Sequence, residues 1–269
     1  MKIREIKTIQ ELEQVQQLEW AVWGTATIPV HQTLTAVKNG GIVVGAFDQD
    51  KLIGFSYGFG GFKHGKSYLC SHMLGIDENY RSKGIGEALK YAQRDIAIEK
   101  GYTMMLWTYD PLETRNGYLN LTKLHAICDT YVENCYGEMQ DGLNKGLPSD
   151  RLEVNWYLTS DYAKKKQQIE LGDAKYLGNV TWNAAGLPIL TALPVVDQFT
   201  EQAYIVPVPK DFQDLKTIEP DLAYDWRMKT RQLFKALFAQ NYVAIRLEQD
   251  EKMNKYIFIL KQQHLFEGA

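Results

Sequence analysis

Apolar residues recur along the chain in two rhythms, and the alternation between them predicts the elements. Residues 3–6 read as a short first strand. Across residues 8–20 the apolar positions Ile9, Leu12, Val15 and Leu18 fall at helical spacing, which gives a helix one apolar face. Thr8 stands where it caps that helix, and Glu11, three residues on, completes a capping box. Pro29 interrupts the chain before a short helix at 33–38, closed by Asn39, Gly40 and Gly41. Strands follow at 42–47 and 52–59, joined by the polar turn 48–51, with Gly58, Gly60 and Gly61 breaking the next connection. A strand at 67–76 leads into a helix at 85–100, whose apolar positions are Ile85, Leu89, Ala92, Ile96 and Ile98 and whose end is marked by Gly101. Residues 104–109 read as a strand ended by Pro111, residues 119–134 as a helix, and 154–158 as a strand with a partner near 135–139.

Beyond residue 160 the pattern changes. Lys164, Lys165 and Lys166 form a charged run that reads as a solvated helix face, and a boundary falls near it. After Pro194 come a strand at 203–208 and an amphipathic helix at 222–239 carrying Trp226, Leu233, Phe234, Leu237 and Phe238. Two further strands, 242–247 and 256–260, are joined by the polar turn 248–254. This β-α-β-β set extends the sheet or walls a cleft.

One segment carries candidate chemistry. Arg81-Ser82-Lys83-Gly84-Ile85-Gly86 follows a strand and opens a helix. Amides of a first helical turn have no intrahelical partner, and the helix dipole adds positive potential there, so a phosphate or pyrophosphate is well received. Gly84 and Gly86 let the backbone approach, while Arg81 and Lys83 add charged donors. The Gly-Lys-Ser/Thr ending of a P-loop is missing, as are the third glycine and the later acidic residue of a dinucleotide fingerprint.

With its flanking strand and helix, the turn resembles that of the GNAT superfamily of acyl-CoA N-acyltransferases, whose Gln/Arg-x-x-Gly-x-Gly/Ala pattern is matched by Arg81, Gly84 and Gly86. A second match is Tyr131-Val132-Glu133-Asn134-Cys135-Tyr136, which has the spacing of the family's Tyr-x-x-x-Gly-Phe segment with Cys135 and Tyr136 substituted and no Asn seven residues before Tyr131. The resemblance covers residues 1 to about 160. It implies an α/β (α+β) fold with a mixed, mostly antiparallel central sheet flanked by helices. It divides the chain into an acyl-CoA-binding catalytic domain, 1–160, and a C-terminal extension, 161–269. It also implies acetyl-CoA or another acyl-CoA as cofactor. Arg81 to Gly86, with Ser82, Lys83 and Ile85, would hold the pyrophosphate, and Leu74, Gly75 and Ile76 would offer backbone groups to the pantetheine arm and the thioester carbonyl. Asn120 and Lys123 stand within reach of the cofactor, and Tyr131 sits where the family often places its general acid.

Asp110, Glu113, Arg115 and Asn116 lie just beyond the strand at 104–109, where carboxylates can relay a proton and Arg115 can clamp an acceptor's carboxylate. Each also has a plainer reading: a charged surface loop for these four, a core-edge aromatic for Tyr131, a snorkelling side chain for Lys123. His72 and His125 are either bases or hydrogen-bonded structural residues.

The remaining composition narrows the partners. A net charge of −3, with basic residues forming no stripe, gives no reason to expect nucleic acid or an anionic membrane. Cys70, Cys128 and Cys135 have no metal-ligand spacing, and neither His-Glu-x-x-His nor Gly-x-Ser-x-Gly occurs, so no metal and no serine hydrolase are expected. No run of about 18 apolar residues is found, and a cytoplasmic protein is expected. The reading is transfer of an acyl group, acetyl in the first instance, to the amine of a small molecule or amino acid. Alternatives are a coenzyme A sensor without transfer activity and an ATP- or NAD-binding module. A homodimer stays open.

Overall fold

The capping box forms. In this computed structural model Glu11 N donates to Thr8 Oγ1 at 3.3 Å and Thr8 N to Glu11 Oε2 at 3.4 Å, opening α1 (Ile9–Trp23). Gly24, at φ 64°, closes the helix by donating to Trp20 O. Residues 1–24, 26–63, 65–139, 144–191, 193, 198–262 and 266 are described. They form two compact units, one of Met1–Trp107 with Tyr157–Thr159, the other of Thr108–Trp156 with Ser160–Ala269.

In the first unit the strands are β1 (Lys2–Glu5), β2 (Ile42–Asp48), β3 (Lys51–Lys63), β4 (Lys66–Ile76) and the start of β5 (Met104–Tyr109). Their order in the sheet is their order in the chain; every pairing is antiparallel except that of β4 with β5. Side chains alternate across the sheet. Phe55 and Tyr57 pack with Leu12, Val15 and Leu18 of α1, and α2 (Val30–Lys38) adds partly buried residues to the same layer. Gly54 and Ser56, on the other face, meet α3 (Ile85–Glu99): a Cβ at Gly54 would touch Leu89 and Ile85, and Ser56 bonds Gln93. The β3–β4 hairpin runs to Lys63 and Lys66, past the glycines expected to interrupt it. Gly61 stays inside the ladder because a side chain there would strike the Tyr68 ring.

The second unit corrects one expectation. Residues 119–134 are not a helix. A short α4 (Thr114–Gly117) passes into a π-helical turn, Tyr118–Lys123, and the chain then enters β6 (Ile127–Val132). Leu121, Leu124, Cys128 and Tyr131 satisfy helical spacing, but His125 takes a left-handed backbone (φ 53°) and ends the helix without the glycine that usually announces such a break. Past it, Ile127, Thr130, Tyr131 and Val132 prefer a strand. β7 (Arg151–Tyr157) therefore pairs antiparallel with β6, Tyr131 against Leu152, while 135–139 forms turns around Asn134 (φ 43°) and Gly137 (φ 67°).

After α5 (Asp161–Lys165) come β8 (Lys175–Tyr176) and a separate hairpin of β9 (Val180–Trp182) and β10 (Pro188–Leu190). β11 (Ala203–Pro209), α6 (Phe212–Ile218), α7 (Pro220–Ala239), β12 (Tyr242–Glu248) and β13 (Met253–Leu260) supply the foreseen β-α-β-β set, with α6 in addition. Pro194, expected ahead of this set, lies outside the described residues. The unit's sheet runs β7-β6-β12-β13-β11-β8. On α7, Trp226, Phe234 and Leu237 are fully buried; Trp226 Nε1 donates to Pro188 O at 2.8 Å, and the Phe234 ring packs on Tyr256 and Phe258. Among the described residues no helix is long and apolar enough to cross a membrane.

Candidate cofactor site

β4 carries a free edge. On one side it pairs with β3, Phe55 opposite Gly75 and Ser56 opposite Leu74. On the other its parallel register with β5 consists of Leu69↔Met105 and Cys70↔Leu106, and among the described residues it stops there. From Ser71 to Gly75 the N–H and C=O groups on that side are available to an extended ligand, as at any sheet edge. Gly75 is buried under the Phe55 and Trp23 rings, which a Cβ would approach to 2.7 and 3.1 Å. The strand therefore needs glycine at that point.

The edge leads directly into the turn. Asp77 caps a 3-10 turn, Glu78–Tyr80, by accepting from Asn79 N at 3.0 Å, and its carboxyl is held below the usual range chiefly by Lys51. Ser82 and Gly84 both take positive φ, 63° and 75°, and Gly84 begins α3 with no side chain capping its first amides. Arg81 Nε donates to Ile76 O at 3.3 Å, which ties the turn to the end of β4. Lys83 Nζ donates to Asn79 O and lies 4.9 Å from the Tyr80 ring centroid. Arg81, Ser82, Lys83 and Gly84 are all exposed, whereas Ile85 is buried and anchors the helix start to the sheet. Uncapped amides, two cations and an unpaired strand edge in sequence suit a pyrophosphate followed by an amide-bearing arm.

A group that the sequence reading missed lies beneath that edge. Lys90 of α3 is 2% exposed; its Nζ donates to Ser71 Oγ at 2.8 Å and stands 3.6 Å from the Trp107 ring centroid. Ser71 Oγ donates in turn to Gln93 Oε1 at 2.6 Å, which also accepts from Ser56 Oγ at 2.9 Å. The available signal was Gln93, which falls four residues after Leu89 on the apolar stripe of α3. Burial lowers Lys90 from 10.5 to about 7. Between those values the unfolded chain binds a proton that the folded chain does not, so Lys90 makes stability rise with pH across that window. Lys90→Met is expected to flatten the rise. Urea midpoints of both proteins at pH 7 and pH 9 test this, and a wild-type minus variant difference independent of pH would refute it.

The remaining candidates belong to the second unit. Asp110 accepts from Leu112 N at 2.8 Å and pairs with Arg227 of α7, whose guanidinium is 1% exposed, and with Arg151 at 3.8 Å. Glu113 accepts from Gln213, and burial raises its pKa. Arg115 and Asn116 are exposed, Asn120 is buried, and these three are outside the cluster. Tyr131 OH donates to Asp150 Oδ2 at 2.6 Å. Asp150, 0% exposed, also accepts from Asn134 N at 3.0 Å and from both Nε and Nη2 of Arg231 at 2.8 Å. Burial, more than its charged neighbours, raises Tyr131 well above the usual tyrosine range. Its proton is committed to Asp150, which is a poor arrangement for a general acid. Asp110, Tyr131 and Asp150 all act on Arg227. Thus Asp110, Glu113 and Tyr131 share one charged cluster in the second unit, and the turn lies in the first.

His72 is edge-on to Phe59 and Tyr57, and burial lowers its pKa; burial likewise lowers His125. Among the described residues no group of three or more His, Cys, Asp or Glu side chains is placed to hold a metal ion.

Comparison with known proteins gives one family. Residues 7–118 match the model of the acetyltransferase (GNAT) family. No curated protein gives a significant sequence match. Solved structures similar to the chain include an aminoglycoside 6'-acetyltransferase type Ii (19% identity, 59% of this chain and 97% of that one, TM-score 0.46). Others are a ribosomal-protein-alanine N-acetyltransferase from Brucella melitensis (17%, 58% and 99%, 0.47) and an aminoglycoside 6'-N-acetyltransferase from Enterococcus faecium (16%, 59% and 97%, 0.45).

Proposed function

With residues 7–118 matching the acetyltransferase (GNAT) family, we propose that the protein is an N-acyltransferase. It moves an acyl group, acetyl being the simplest, from acyl-CoA to the amine of a small molecule or amino acid by direct attack. The observation that carries this reading is the free edge of β4 past Cys70, running straight into an uncapped, glycine-bearing helix start.

Coenzyme A, when bound, supplies the acyl group already activated as a thioester. The residues of this chain do the rest. Arg81, Ser82, Lys83 and the backbone of Gly84, Ile85 and Gly86 hold the pyrophosphate. Leu74, Gly75 and Ile76 align the arm through backbone groups, and alignment alone accounts for much of an acyl transfer's acceleration. Tyr131, whose proton Asp150 holds, is given no part in the transfer.

Thiol release from acetyl-CoA across a panel of amines and amino acids tests the proposal. Arg81→Ala removes a charged donor worth about 1.5–3 kcal/mol. It is expected to raise KM for acyl-CoA at least about tenfold with kcat within about twofold. Unchanged KM would remove the turn from the site. A second reading, a coenzyme A sensor without transfer, is favoured by the commitment of the Tyr131 proton; it predicts binding with no thiol release from any amine.

A further inference from the structure

The network under β4 is rich in donors and lacks an acceptor. Gln93 Oε1 is filled twice, by Ser71 and Ser56, while Gln93 Nε2 has no partner despite complete burial. Ser71 Oγ already accepts from Lys90. Lys90 itself forms no ion pair with any carboxylate among the described residues, and the titratable group acting on it is the Cys70 thiol. Burial without a counter-ion disfavours the charged form of Lys90, and an amide N–H buried without an acceptor is likewise unfavourable. What would relieve both is one buried anion with two acceptor oxygens.

The place of the network says which anion. Ser71 and Trp107 are the first residues of β4 and β5 past their last shared rung, Cys70↔Leu106, so Lys90 lies where the two strands part. From Ile76, at the turn, back to Ser71 the free edge spans about 16 Å at strand rise. An extended pantetheine arm anchored by its pyrophosphate at the turn is of that order, and its acyl end therefore falls beside Ser71.

Resting on the acyl-CoA reading above, we propose that Lys90 and Gln93 form a carboxylate-recognising end of the acyl subsite. The preferred donor is then the coenzyme A thioester of a dicarboxylic acid, of the succinyl class. The acid's free carboxylate accepts from Lys90 Nζ and Gln93 Nε2, giving the ammonium its missing partner and the amide its missing acceptor. Trp107, stacked on the same amine, lines the subsite. Because a carboxylate stabilises the charged amine, binding draws a proton onto Lys90 above neutral pH.

Calorimetric titration of the full chain at pH 8 with coenzyme A, acetyl-CoA and succinyl-CoA, in two buffers of different ionisation heat, tests the inference. Succinyl-CoA is expected to bind at least about tenfold more tightly than acetyl-CoA and to take up close to one proton per site. Lys90→Met, of similar length and volume, is expected to bring the two affinities within about twofold and to abolish the proton uptake. Equal affinities in the wild type, or a preference retained by Lys90→Met, would overturn the inference. Should the variant fail to fold, the wild-type ratio and proton count decide alone. A protein binding coenzyme A and acetyl-CoA without preferring succinyl-CoA refutes this inference only, whereas one binding none of the three refutes the acyl-CoA reading together with it.

Discussion

Replacing Asp150 with alanine is expected to cost about 3–5 kcal/mol, the range for removing one partner of a buried ion pair. The carboxylate is 0% exposed and accepts from Tyr131 OH, Asn134 N and two nitrogens of Arg231. Each of those donors loses its acceptor at once, and among the described residues the Arg231 guanidinium keeps Glu133 at 3.0 Å. Asp150→Asn, which retains an acceptor for Tyr131 or Asn134 without the charge, is expected to fall between. For a unit of this size the alanine change lowers Tm by roughly 10 °C. Equilibrium denaturation of the three proteins measures the series, and a loss below about 1 kcal/mol for alanine would show that Arg231 and Tyr131 find other partners in water.

The second large effect is expected at Phe234. Its ring is fully buried on α7 and meets Tyr256, Phe258, Tyr131 and Phe238 edge-on, with centroids 5.1, 5.0, 6.2 and 6.4 Å away. Phe234→Ala removes that volume from the centre of the second unit, for about 3–5 kcal/mol. Phe234→Leu, which keeps most of the volume, is expected to cost much less. Tyr131 is shared between the Phe234 contact and the Asp150 hydrogen bond. The double variant Phe234→Ala/Asp150→Ala should therefore depart from additivity by about 0.5 kcal/mol or more. Strict additivity in the same denaturation experiment would mean that the two supports of Tyr131 are independent.

How much of this was legible follows from where local signals agree with tertiary ones. The capping box at Thr8 and Glu11, the polar turn between β2 and β3, and the glycine turn before α3 are local devices, and each is found where the sequence places it. Residues 119–134 failed because their apolar spacing fits a helix and His125, not glycine, takes the left-handed turn. That error carried Tyr131 onto a helix when it belongs to β6, one residue from its end, with its hydroxyl turned to Asp150. The Asp150–Arg231 pairing joins positions 81 residues apart in the chain, and no periodicity announces it. Lys90 escaped notice for a related reason: beside Gln93 on an otherwise amphipathic helix it reads as a solvated charge, and only the packing of α3 against Ser71 and Trp107 shows it to be buried.

The acyl-CoA reading requires that the free edge of β4 and the turn at Arg81 to Gly86 bind coenzyme A. A thermal-shift titration of the purified chain with coenzyme A, ATP and NAD tests it most directly. Coenzyme A at about 100 times its Kd is predicted to add about 2.7 kcal/mol of stability. Gly84→Val, a β-branched residue at a left-handed position, is predicted to weaken that stabilisation at equal ligand concentration. Stabilisation by ATP or NAD with none from coenzyme A would contradict the claim.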